Sequence, residues 1–132
     1  MKLRPSGVAA IGCIALSAAL FGAAPAGAFE PPVTAQKEID HLLDYVGNSG
    51  CEFYRNGVWF DGTRGQSHLR DKYRFLVGQD MIRETTDFID RAATQSSFSS
   101  LSYKVRCTGG EPMESAHWLK AELNRYRRSA VH

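Results

Sequence analysis

Three serines and a histidine are the residues of this chain that could do covalent chemistry. Ser96, Ser97 and Ser99 fall in one polar segment, and His68 and several acidic residues sit on what read as neighbouring helices. Those types could supply a nucleophile, a base and an orienting acid. A triad is defined by geometry, however, and no Gly-x-Ser-x-Gly turn is present to expose a serine. Serines that follow a helix usually satisfy its free carbonyls instead. The loop-and-capping reading is therefore preferred and no catalytic residue is assigned. A small hydrolase using Ser96–Ser99 with His68 stays as an alternative.

Metal chemistry is less well provided for. The histidines are His41, His68, His117 and His132, and none stands three or four residues from another. Asp40 and Asp44 flank His41 as on any solvated helix face. Neither a zinc nor a calcium spacing is present, so no metal and no cofactor are expected.

His68 and Lys72 are one helical turn apart, with Asp90 on the next helix and Ser96 or Ser97 beyond it. These residues could line an anion or carbohydrate pocket. They could equally form a satisfied polar cluster that fixes how two helices and a loop pack. The second is expected, because buried polar groups are generally paired.

Asn56-Gly57 lies between two aromatic-rich runs, a strong signal for a tight hairpin. That turn sets Arg55 against Val58, Tyr54 against Trp59 and Phe53 against Phe60. One face then carries Cys51, Phe53, Val58 and Phe60. The other carries Glu52, Tyr54, Trp59 and Asp61. Tyr103-Lys104-Val105-Arg106-Cys107 alternates as a further strand, which would add Lys104 and Arg106 to the second face. Rings bordered by charges of both signs suit a peptide, a glycan or an envelope protein. Glu52, Tyr54, Trp59, Asp61, Lys104 and Arg106 are thus the candidate binding residues. The competing reading is that a helix covers this face or that these rings simply shield the sheet.

The elements that must position these residues follow from periodicity. Thr34 is a plausible cap for a helix with Ile39, Leu42, Leu43 and Val46 on one face, stopped at Gly47 and Gly50. Asp61 or Thr63 caps a second helix striped by Leu69, Tyr73, Leu76 and Val77. A third runs from about Thr85 to Thr94 and buries Phe88, Ile89, Ala92 and Ala93, with Asp87 placed to pair with Arg91. Gln95 to Ser102 reads as loop. Ser115 caps a last helix bearing Leu119, Leu123 and Tyr126, with basic residues near its C-terminus. The expected fold is α+β: a three-stranded antiparallel sheet packed with four helices.

The first 28 residues set the compartment. Lys2 and Arg4 precede an apolar run from Val8 to Ala24, and Ala26-Gly27-Ala28 has the small-x-small pattern of a cleavage site. Residues 1–28 read as a signal peptide cut after Ala28, 29–33 as a flexible lead-in, and 34–132 as one domain. Export to the periplasm would expose Cys51 and Cys107 to oxidation, and both fall on the apolar face of their strands. A disulfide between them is expected, closing a loop of about 56 residues. Ala10-Ile11-Gly12-Cys13 faintly resembles a lipobox, but the apolar stretch before Cys13 is too short. Loss of Lys2 and Arg4 leaves 14 basic residues against 14 acidic ones. A neutral domain is poorly suited to nucleic acid, and no later run of about 18 apolar residues could span a membrane.

Three stretches together resemble a known family. They are Phe53-Tyr54-Arg55-Asn56-Gly57, His68-Leu69-Arg70-Asp71-Lys72, and Phe88-Ile89-Asp90-Arg91-Ala92 followed by Ser96-Ser97, Tyr103 and Val105. The pattern is similar to the YfeK-like family of small exported bacterial proteins, whose function is not established. The resemblance implies export and a single domain, carries no catalytic assignment and leaves the chemistry open. Sequence alone thus supports a periplasmic, non-enzymatic binding module, with a structural or assembly factor of the envelope as a further alternative.

Overall fold

The computed structural model describes residues 29–131 and, before them, residues 2, 3, 6, 7, 9, 10, 12, 13 and 22. The expected cleavage point at Ala28, and His132, lie outside the described residues.

The chain runs α1 (Val33–Asn48), β1 (Glu52–Arg55), β2 (Val58–Asp61), α2 (Gly62–Gly78), α3 (Thr85–Ala92), β3 (Lys104–Arg106), β4 (Met113–Glu114) and α4 (Ser115–Ser129). The strands form one antiparallel sheet in the order β2-β1-β3-β4. The α+β class holds, but the sheet has four strands where three were expected. The added strand is two residues long, too short to show an alternating pattern, and pairs Met113 with Val105 and Glu114 with Lys104.

The hairpin has the expected register, Phe53 to Phe60 and Tyr54 to Trp59. Asn56 and Gly57 both have positive φ, 51° and 86°, as a type I′ turn requires. β3 extends the sheet with Phe53 opposite Val105 and Tyr54 opposite Lys104. One step beyond that ladder, Cys51 and Cys107 are bridged with Cα atoms 4.3 Å apart. The inner face of the sheet is less uniformly buried than its alternation suggests. Phe53 and Val105 are core, but Val58 is 52% exposed and Phe60 only half-buried. β2 is an edge strand, and the helices cover only part of it.

Helix boundaries shift where side chains compete with the backbone. α1 starts at Val33 with Pro32 as its cap, so Thr34 lies inside the helix and the lead-in is one residue shorter. The helix continues through Gly47 to Asn48, where the Ser49 hydroxyl donates to the Val46 carbonyl at 2.8 Å. Asp61 caps α2 as expected, accepting from the Arg64 amide at 2.9 Å. α3 ends at Ala92 rather than Thr94, whose hydroxyl turns back to the Ile89 carbonyl. Ser115 is not the cap of α4 but its first residue; Glu114 is the cap and makes no side-chain capping bond.

The core joins Ile39, Leu42, Leu43 and Val46 of α1 to Phe88 and Ile89 of α3 and Leu119 and Leu123 of α4. α4 is further fixed to α1 by polar contacts: Arg127 donates to Glu38 at 2.8 and 2.9 Å, and His41 donates to Glu122 at 2.8 Å. The start of α2 is pressed against the end of α1. A Cβ at Gly62 would lie 2.6 Å from the Val46 carbonyl oxygen, so only glycine fits. No helix of the described residues is long and apolar enough to cross a membrane.

Candidate functional site

The chemistry of the site begins with one row across the inner face of the sheet. Arg55 opposes Val58 in the hairpin. Continuing the β1–β3 ladder by one step sets Arg55 against Tyr103, and the Ser115 amide donates to the Tyr103 carbonyl at 2.9 Å. Directly opposed residues point to the same side of a sheet. Arg55, Tyr103 and Ser115 therefore stand side by side, facing the helices. Strand spacing puts the outer two about 10 Å apart.

α2 supplies the opposite wall. His68 Nε2 is 3.0 Å from the Tyr103 hydroxyl. The Lys72 ammonium donates to the Gln95 carbonyl at 3.0 Å and to the Tyr103 hydroxyl at 3.4 Å. Burial, then the charges of Arg55 and Lys72, push His68 down to about 4, so its ring is neutral near pH 7. Lys72 donates to the Tyr103 oxygen, which can in turn donate to the neutral His68 nitrogen. Burial and Arg55 also lower Lys72, while burial raises Tyr103 against the pull of Arg55. Arg55 thus imposes a positive field on His68, Lys72 and Tyr103.

Row and helix enclose a cavity of about 290 Å³. Its floor is apolar: Val46, Leu69, Ala93 and Leu119 are all buried. Its rim carries Arg55, Arg64, His68 and Asp71, with Phe60 as a side wall on which the Arg64 guanidinium stacks 5.4 Å from the ring centre. Among the described residues, two buried side-chain polar atoms lack a hydrogen-bond partner: Arg55 Nε and Ser115 Oγ. Both residues line this cavity.

The polar cluster expected from sequence is only partly assembled. His68 and Lys72 meet, but through Tyr103. Asp90 turns away to an ion pair with Lys120 at 3.0 Å, because it lies on the exposed side of α3. Ser96 is buried, yet its hydroxyl accepts from the amides of Phe98 and Ser99 and so shapes its own loop. Ser97 is exposed. Among the described residues no hydrogen bond joins His68 to a serine of this loop.

The outer face brings its candidates together. The Tyr54 and Trp59 rings are 5.4 Å apart. The Arg106 guanidinium lies 4.0 Å over Trp59 and pairs with Glu52 at 2.8 Å, and the Lys104 ammonium lies 6.0 Å over Tyr54. Asp61 is occupied as the cap of α2.

Arg55, Arg64, Tyr103 and Ser115 were not singled out from sequence as a site. A signal for Arg55 was present: strict alternation puts its charge on the face of Phe53, where charges are rarely buried. Ser115 gave none, since its place depends on the two-residue strand β4.

A family model described as a family of unknown function, DUF5329, matches residues 33–127 of this chain. No curated protein and no solved structure matches it.

Proposed function

We propose that this chain, which belongs to the DUF5329 family, is a periplasmic, non-enzymatic binding module that seats a small organic ligand in the cavity beneath its hairpin. One observation carries this reading. Among the described residues, the two buried side-chain polar atoms without a partner both belong to residues lining that one cavity. Buried donors and hydroxyls are rarely left unmet, and a small turn of either side chain would bring it to a water or a ligand in the cavity. An apolar pocket with a few convergent polar groups is the usual form of a small-molecule site.

The signal-like leader, the similarity to YfeK-like exported proteins and the Cys51–Cys107 bridge support the oxidising compartment. The engagement of His68 by Tyr103 supports binding over hydrolysis. The test is a chemical-shift screen of small organic compounds against the isotope-labelled chain. Shifts should gather at Leu69, Ala93, Tyr103 and Leu119. Shifts confined to other surfaces would overturn the reading.

The Tyr54–Trp59 face supports a second, independent contact with an envelope protein, a peptide or a glycan. Its rings are half-exposed and already bracketed by Lys104, Arg106 and Glu52. If this face binds, Trp59→Ala should abolish retention on an immobilised glycan or peptide that retains the parent chain. Equal retention would exclude it.

A further inference from the structure

Taking the cavity as a ligand seat, we infer that it is built for an organic acid: an anionic head at the rim on Arg55 and Arg64, and an apolar body on the floor below.

The rim is short of negative charge. Neither Arg55 nor Arg64 takes part in an ion pair among the described residues. Asp71, the carboxylate at the rim, is exposed and lies 4.0 Å from Arg74 on its own helix. His68 is neutral and adds no charge of either sign, and the Lys72 ammonium stands behind Tyr103. The buried Nε–H of Arg55 has no acceptor. A carboxylate in the cavity would meet the guanidinium of the half-buried Arg55 or of the exposed Arg64, whose planar fork favours two-point pairing. A cationic ligand would meet two guanidiniums, and a neutral one would leave their charge unanswered.

The interior sets the rest of the molecule. The floor is aliphatic and closes on Leu119 and Val46, 1% and 0% exposed. A cavity of about 150 Å³ holds one benzene ring, so about 290 Å³ accommodates roughly a dozen non-hydrogen atoms. At the floor the Ser115 hydroxyl is unpartnered, and it opens a helix with neither a side-chain cap nor an acidic residue in its first turn.

Three probes of nearly equal size separate the possibilities: 3-phenylpropionate, 3-phenylpropionamide and 3-phenylpropylamine, each titrated at pH 7 and followed by backbone chemical shifts. The acid should bind about tenfold tighter than the amide, with shifts at Arg55, Tyr103 and Ser115, and the amine should be weakest. Arg55→Gln should bring the affinity of the acid down to that of the amide. If that variant does not fold, Arg64→Gln, whose side chain is exposed, should weaken the acid severalfold. Equal binding of acid and amide, or a preference for the amine, would overturn the ligand class while leaving the cavity a binding site. No shift of cavity residues with any probe at millimolar concentration would overturn the cavity reading itself.

Discussion

Replacing Ser115 with alanine should stabilise the protein while weakening its ligand seat. Ser115 is 4% exposed, and its hydroxyl has no partner. An unmet buried hydroxyl costs about 1–3 kcal/mol. Burial closes the hydroxyl to water in the adjoining cavity, so solvent does little to offset this cost. Alanine also has the higher helix propensity, a gain of a few tenths of a kcal/mol for an ordinary residue. The methyl group occupies nearly the same volume, so the loss in packing is small. The net expectation is a gain of about 1 kcal/mol, which for a domain of this size raises the melting temperature by about 4–8 °C. Urea denaturation and calorimetry measure it directly, and the 3-phenylpropionate titration reports the accompanying loss of affinity. A variant that loses 1 kcal/mol or more would show that the hydroxyl is structurally paired. The argument that it waits for a ligand would then fail.

Three further outcomes are expected. Gly62→Ala should destabilise by about 1–3 kcal/mol, because the added Cβ collides with backbone; Gly78→Ala, where nothing lies within 4 Å, should be neutral or slightly stabilising in the same urea assay. His68 has a folded-state value near 4 against an ordinary 6.5, so the unfolded chain binds more protons between those limits. Stability should therefore fall as pH drops from 6.5 to about 4, and His68→Gln should flatten that slope. The hydrogen bonds from Arg127 and Arg125 hold Glu38 and Glu122 below the carboxylate norm of 4.5, so their contributions should hold above that value and be lost progressively as the pH falls below it. Removing the disulfide by Cys51→Ala and Cys107→Ala should lower stability by about 4 kcal/mol on the chain-entropy account, read as a shift in urea midpoint; an unchanged midpoint would mean that the loop is held by other contacts.

Much of the fold was legible because short-range rules dominate it. Asn56-Gly57 dictated the turn, and through it the register that separates Phe53 from Tyr54. The apolar spacing in α1 and α3 reported buried faces directly, and matched strand faces anticipated the Cys51–Cys107 bridge. The site was harder to read for a physical reason. Its members come from β1, α2, the segment after α3 and the start of α4, and they meet only once β4 sets Ser115 beside Tyr103. A two-residue strand has no periodicity to detect. Asp90 misled because helix position gave its neighbours in sequence but not its angular setting, which turns it toward Lys120.

The disulfide has a mechanical consequence for the cavity. It fastens β1 to β3 one step beyond Glu52 and Arg106, whereas Arg55 and Tyr103 stand at the other end of the same short ladder. The pair of strands is hinged like a clasp, covalent at one end and held by hydrogen bonds and side chains at the other. At the open end, the Ser99 hydroxyl reaches Asn56 in the hairpin turn and Lys72 reaches the Gln95 carbonyl. Those contacts are exposed and so are the weaker of the two fastenings. Opening should start there and die out toward the sulfur atoms. Amide exchange along β1 should accordingly be graded, fastest near Arg55 and slowest near Cys51. The gate that admits a ligand would then be the free end of the sheet itself, with no separate lid.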